Sequence, residues 1–114
     1  IKTRLLSVDP YMRGSMFGGG FELPPVQEAQ QLLERVPGGE NVGEVVESQV
    51  QDLPVGTLVR GRWSWVDTVV LSATAVEKLR PYHAPPSTSL GVVGMVGRTA
   101  YYGVFEVLRP QAGE

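Results

Sequence analysis

Hydrophobic and polar positions in much of the chain alternate with the two-residue period of β-strands. Near the start, Ile1, Thr3 and Leu5 alternate with Lys2 and Arg4, and the pair Asp9-Pro10 then breaks the pattern. The sequence predicts strands at residues 1–8, 42–48, 56–60, 66–72 and 75–79, with a turn at 52–56. These short segments predict a mainly β domain with short helices.

Two other stretches have the spacing of helices. Residues 26–36 contain good helix formers with apolar side chains at helical intervals, so we interpret 18–36 as a mobile insert or lid. Apolar side chains from Thr99 to Leu108 fall at i, i+3, i+4 and i+7, which predicts a buried amphipathic helix. Residues 87–89 are predicted to cap the helical approach to Gly91.

Three glycines at intervals of three residues, Gly91, Gly94 and Gly97, precede this helix. A glycine lets a backbone come close to a flat ligand, such as a cofactor, or to another backbone. The spacing alone leaves both interpretations open.

Composition excludes several classes of function. The net charge is −2, from 10 basic and 12 acidic residues, which argues against nucleic acid or an anionic membrane as a partner. No apolar run approaches the ~20 residues that span a bilayer. Without cysteine the chain has no disulfide and no thiolate metal site, and a cytoplasmic location is the default expectation. The lone His83 cannot provide a zinc site with histidine or cysteine ligands, so we expect no metal.

Three motifs occur in an order that resembles one known family. VDPYMR at 8–13, NVGEVVES at 41–48 and GMVGRTAYYG at 94–103 are similar to the zinc-free branch of the medium-chain dehydrogenase/reductase superfamily. This branch holds the prostaglandin reductases (leukotriene B4 dehydrogenase) and the plant alkenal double-bond reductases. Val96 and Arg98 replace the usual proline and leucine, so the local turn is expected to differ.

The resemblance implies a chaperonin-10 (GroES)-like, partly open β-barrel at residues 1–90, followed by a helical connection at 91–114. It also implies a Rossmann domain that the 114 residues lack, since they contain no GxGxxG loop. Both ends of the chain look cut, and we expect these residues alone to be inactive. Gly39 stands where zinc-dependent members of the superfamily carry a ligand histidine.

The chemistry implied by the resemblance is NADPH-dependent reduction of the C=C bond of an enone or enal, with NADH as an alternative donor. Tyr11 is the catalytic candidate, because its hydroxyl could donate a hydrogen bond to the substrate carbonyl. Without the resemblance, a Tyr11 that closes the strand corner by bonding a backbone carbonyl would be favoured. The cofactor-binding candidates are Gly94, Met95 and Thr99, and the substrate-binding candidates are Tyr11, Met16, Phe17, Trp63 and Tyr102.

Other functions remain open at this stage. Trp65 is interpreted as packing rather than as a pocket wall. A quinone reductase is the nearest variant of the same chemistry, and a non-catalytic β-barrel binding module is the alternative from a different class. For the full-length protein the resemblance is also compatible with a homodimer.

Overall fold

The computed structural model describes residues 1–16, 37–80 and 84–114. Their contacts divide the chain into two compact units, Ile1–Lys78 and Leu79–Glu114, and each is described by itself. The predicted insert at 18–36 lies outside the described residues. The domain boundary predicted after residue 90 stays a prediction. Within the described ranges, no helix has the length and apolar character needed to cross a bilayer.

The first unit is built on a four-stranded antiparallel sheet with the strand order β1-β2-β3-β4. The strands are β1 (Lys2–Leu6), β2 (Gly38–Glu44), β3 (Leu58–Ser64) and β4 (Val76–Lys78). Helix α1 (Tyr11–Met16) follows β1, and a 3-10 helix (Ala73–Ala75) precedes β4. This confirms the prediction of a mainly β fold with short helices, and the sheet is not closed into a barrel.

The strands β2 and β3 confirm the predicted hairpin, but their bounds differ from the prediction. β2 begins at Gly38, four residues before the strand predicted at 42–48, and β3 continues to Ser64, which pairs with Gly38. Glycine is depleted in strands, so Gly38 and Gly39 do not favour a strand from the sequence alone. Gly39 has a packing reason to be there, because a Cβ atom on it would lie 2.0 Å from Cε of Met12.

The predicted strand at 66–72 is wrong as a regular strand. Only Thr68 forms a ladder bridge, with Lys2, and backbone hydrogen bonds to β1 flank that bridge. The β-branched residues in this run favour a strand because such side chains pack well on a pleated, half-buried surface. Val70 has no such surface, since it is 96% exposed. The segment therefore follows the outer edge of β1 without a repeating ladder.

The core of the first unit is small. Its buried apolar side chains are Met12, Val42, Val45, Val59 and Trp63. The indole of Trp63 lies against two glycines, because a Cβ atom on either Gly43 or Gly61 would be 3.2 Å from a ring carbon. The indole N–H donates to the hydroxyl of Thr3 at 3.0 Å. Glycines on neighbouring strands thus make room for the large aromatic side chain of Trp63.

The second unit consists of short helical segments. They are a 3-10 helix (Pro86–Leu90), helix α2 (Met95–Tyr102) and a π-helical turn (Gly103–Leu108). The predicted helix is confirmed, but its predicted burial is wrong, since Tyr101, Phe105 and Leu108 are 63%, 59% and 73% exposed. Helical spacing identifies an apolar face, whereas burial needs a second surface against it. The described residues of this unit provide none.

The capping role predicted for residues 87–89 is also wrong. They form part of the 3-10 helix, where the hydroxyls of Thr88 and Ser89 donate back to the carbonyls of Pro85 and Pro86. The N-cap of α2 is Gly94, which has no side chain to bond the helix amides.

Candidate functional site

Tyr11 opens helix α1 at a turn that is tied to the sheet. The backbone N–H of Ser7 bonds to the carbonyl of Glu40 on β2 at 2.9 Å, and the Ser7 hydroxyl donates to the carboxylate of Asp9. The N–H of Met12 then bonds to the carbonyl of Asp9 at 3.0 Å, which starts the helix. The turn therefore gives Tyr11 a defined position beside β2.

The Tyr11 side chain is bounded on two sides. A Cβ atom on Gly39 would lie 3.3 Å from the Tyr11 hydroxyl oxygen, and the guanidinium carbon of Arg62 lies 5.2 Å from the centroid of the ring. Tyr11 is 37% exposed, and its hydroxyl forms no hydrogen bond with any residue that the structure describes. The strand-corner alternative required a bond to a backbone carbonyl, and no such bond is seen in the described part of the chain.

Asn41 is a buried polar residue next to this site that sequence reasoning did not single out. Its side-chain amide donates to the carbonyl of Gly39 at 3.0 Å and to that of Trp63 at 2.7 Å. It therefore joins β2 and β3 beside the glycine that faces Tyr11. Its oxygen Oδ1 is buried without a hydrogen-bond partner among the described residues. A polar residue inside a strand motif was the only sequence signal for this role.

The structure describes the predicted substrate residues of the first unit to different extents. Trp63 is 6% exposed and its indole N–H is bonded to Thr3, so it can present only a small part of its surface to a ligand. Met16 ends α1, where only its backbone is described, and Phe17 lies outside the described residues. The indole N–H of Trp65 is buried and has no partner in the described ranges. The substrate-binding roles of Met16, Phe17 and Trp63 stay predictions.

Two of the three regularly spaced glycines are required by the backbone of the second unit. A Cβ atom on Gly94 would lie 2.3 Å from the carbonyl oxygen of Ser89, and one on Gly97 would lie 1.7 Å from that of Val92. Close approach of backbone to backbone therefore accounts for both positions. Of the two interpretations that the spacing left open, the structure supports this one, and it leaves a cofactor contact at Gly94 as a prediction.

The start of α2 nevertheless has groups that suit a nicotinamide. Gly94 places no side chain at the start of the helix, and the N–H of Gly97 in the first turn is bonded to the carbonyl of Gly91 at 3.1 Å. Met95 presents an exposed apolar side chain, and the exposed Thr99 hydroxyl donates to the carbonyl of Met95 at 2.9 Å, which leaves its lone pairs free to accept. The exposed ring of Tyr102 lies at the end of the same helix. The assignment of these residues to the cofactor or substrate stays a prediction.

The charged side chains of the sheet form two exposed ion pairs rather than a metal cluster. Arg4 pairs with Glu44 at 2.6 Å and Arg60 with Glu77 at 2.7 Å. In the described ranges no group of three histidine or carboxylate residues lies together as metal ligands. The space that a side chain at position 39 would occupy is filled by the Met12 thioether.

A cavity of about 430 Å³ lies elsewhere in the first unit. It is bordered by the segment after β2 and by the irregular edge segment, including Val45, Val50, Leu53, Val69 and Leu71. None of the predicted site residues lines it. The candidate site is therefore the surface around Tyr11 and not this cavity.

Comparison with known proteins gives one family and several relatives. Residues 1–79 match the family described as the N-terminal domain of oxidoreductase. The chain is 40% identical over 114 residues to the NADPH-dependent curcumin reductase of Escherichia coli and 36% identical over 118 residues to prostaglandin reductase 1 of Oryctolagus cuniculus. It is 33% identical over 119 residues to the 2-alkenal reductase (NADP(+)-dependent) of Nicotiana tabacum.

Each of these alignments covers 100% of this chain but only 30–32% of the relative. The chain thus spans about a third of the length of the curated relatives that it matches.

Proposed function

The chain belongs to the oxidoreductase family whose N-terminal domain it matches, in the zinc-free reductase branch of the medium-chain dehydrogenases/reductases, and from this premise we propose a function for it. It is the substrate-binding portion of an NADPH-dependent, zinc-independent oxidoreductase. The reaction is reduction of the C=C bond of an α,β-unsaturated ketone or aldehyde. Two relatives named for NADPH or NADP(+) support the choice of cofactor.

The unused hydroxyl of Tyr11 is the observation that carries this proposal. When bound, NADPH supplies a hydride to the carbon β to the carbonyl. The electron pair of the C=C bond then moves toward the carbonyl oxygen, which gains negative charge until the α carbon takes a proton. A hydrogen-bond donor that is fixed before the reaction stabilises this charge at no cost of reorganisation. The Tyr11 hydroxyl can donate a hydrogen bond to the substrate, because no described residue accepts one from it.

Four apolar or aromatic side chains are proposed to contact the remainder of an enone or enal. Met16, Phe17, Trp63 and Tyr102 are the residues proposed for this contact. Gly94, Met95 and Thr99 are proposed to contact the nicotinamide, Met95 through its thioether and Thr99 through its hydroxyl. The exposed Met95 side chain and Thr99 hydroxyl support that role.

The test is NADPH consumption by the complete gene product with a simple enone, compared with its Tyr11→Phe variant. Phenylalanine keeps the ring beside Arg62 and removes only the hydroxyl, so kcat should fall by about 10²-fold, the typical cost of one lost oxyanion donor. NADPH affinity, measured by fluorescence titration, should not change. Tyr101→Phe is the matched control, because Tyr101 is exposed in the second unit and has no proposed role.

The alternatives give different results in the same assay. Turnover of quinones without turnover of enones would replace the proposal with a quinone reductase. The absence of turnover with any enone, enal or quinone would contradict the reductase proposal and favour a binding module. Full activity of the Tyr11→Phe variant would keep the reductase and remove Tyr11 as its donor.

A further inference from the structure

Arg62 is an arginine of the sheet that pairs with no carboxylate among the described residues. Arg60, two residues earlier on β3, pairs with Glu77 at 2.7 Å. Arg62 forms no ion pair with any residue in the described part of the chain, although Glu40 stands opposite it on β2. Two arginines on the same strand thus have different partners.

The guanidinium of Arg62 lies instead over the aromatic face of Tyr11, with 5.2 Å between its central carbon and the ring centroid. This separation is within the range in which the negative face of an aromatic ring attracts a cation. The hydroxyl end of the ring lies beside Gly39, where a Cβ atom would be 3.3 Å away. The ring therefore has a cation over its face, and its hydroxyl lies close to a strand position that carries no side chain.

We propose that Arg62 is a positioning residue for Tyr11, which holds the tyrosine ring in the orientation that presents its hydroxyl to the substrate carbonyl. This inference rests on the proposed function. Tyr11 is 37% exposed, so solvent offers its side chain room for other rotamers, and the attraction of the cation favours one of them. An attraction of the strength found at exposed sites changes the ratio of this rotamer to the others by about two- to fivefold, and the population of the rotamer by up to that factor.

The experiment compares Arg62→Gln and Arg62→Lys in the complete gene product with an enone substrate. Arg62→Gln should lower kcat by about two- to fivefold, because fewer molecules hold the hydroxyl in place, and should leave KM for NADPH unchanged. Arg62→Lys keeps a cation and should recover part of the loss. Arg60→Gln is the matched control, since it removes the same charge from the same strand without touching Tyr11.

A double variant tests whether Arg62 acts through the tyrosine hydroxyl. If it does, adding Arg62→Gln to Tyr11→Phe should cause no further loss of kcat, because the group that is being positioned is already absent. NMR of arginine-labelled protein gives an independent readout. The Arg62 side-chain protons should be shifted upfield by the Tyr11 ring, and the shift should persist in Tyr11→Phe and disappear in Tyr11→Leu.

Failure of the inference is distinguishable from failure of the proposed function. If Tyr11→Phe impairs turnover while Arg62→Gln does not, or if the two losses multiply, the positioning role is overturned and the reductase stands. The absence of the ring-current shift overturns it as well. If Tyr11→Phe has no effect, the proposed donor and the positioning role both fail.

Discussion

Gly97, in the first turn of α2, is a position where the structure leaves no room for a methyl group. An ideal Cβ atom there would lie 1.7 Å from the carbonyl oxygen of Val92 and 2.4 Å from its carbonyl carbon. Both are backbone atoms, so neither can turn away as the end of a side chain can. The N–H of Gly97 is also bonded to the carbonyl of Gly91 at 3.1 Å. Gly97→Ala must therefore displace either the turn or the start of the helix.

The size of the effect follows from a comparison with Gly103 in the same helical segment. Gly103 has φ −58° and ψ −44°, and an ideal Cβ atom on it would meet no atom within 4 Å. Alanine at Gly103 should therefore raise the free energy of unfolding by about 0.5–1 kcal/mol, the usual helical gain over glycine. At Gly97 the same gain is outweighed by overpacking, which costs about 1–3 kcal/mol or more. One chemical change should have opposite signs at the two positions.

Amide hydrogen exchange on the complete gene product is the suitable assay, because it reports on this unit separately from the sheet. The N–H of Arg98, bonded to the carbonyl of Gly94 at 3.1 Å, should lose protection by about tenfold in Gly97→Ala, which corresponds to about 1.4 kcal/mol. In Gly103→Ala its protection should be unchanged or higher. Protection in Gly97→Ala equal to the wild type would refute the close approach to Val92.

Two substitutions on β1 give contrasting stability predictions, both measured by urea unfolding. Thr3→Val removes the hydroxyl that accepts from Trp63 and donates to the carbonyl of Val66 at 2.6 Å, so the free energy of unfolding should fall by about 1–3 kcal/mol. Thr3→Ser keeps the hydroxyl and should stay near the wild type, and a Thr3→Val variant as stable as the wild type would contradict the role of these two hydrogen bonds. Arg4→Gln breaks an exposed ion pair with Glu44 and should change the same quantity by less than about 1 kcal/mol. A larger loss would contradict solvent screening of this pair.

The elements that could be predicted from the sequence are those determined by local chemistry. In β1 the alternation of apolar and charged side chains matches the observed alternation of half-buried and exposed residues. The break at residues 9–10 agrees with the structure, in which β1 ends at Leu6 and helix α1 begins at Tyr11. The run at 66–72 failed because a regular strand needs a partner at successive positions, and β-propensity does not identify one. The burial of α2 failed for a related reason, since an apolar face does not reveal what covers it.

The candidate site depends on contacts that no local pattern contains. Tyr11 was identified through the family motif, since its position in the chain alone favours the alternative role at the strand corner. Arg62 and Asn41 were missed because their partners are distant in sequence, as in the bond from Asn41 to Trp63 across 22 positions. The strand register that places Arg62 near Tyr11 becomes visible only when β2 and β3 are paired.

The glycines of the helical stretch show why residue type alone could not identify a cofactor site. Gly97 and Gly103 stand in one motif, yet an added methyl group meets the backbone of Val92 at the first and open space at the second. A glycine that its own backbone requires would be there with or without a nucleotide, so it is weak support for one. The exposed hydroxyl of Tyr11 forms no hydrogen bond with any described residue, so the fold does not require it as it requires Gly97. It is therefore the stronger indication of chemistry, and the Tyr11→Phe variant is the more informative substitution.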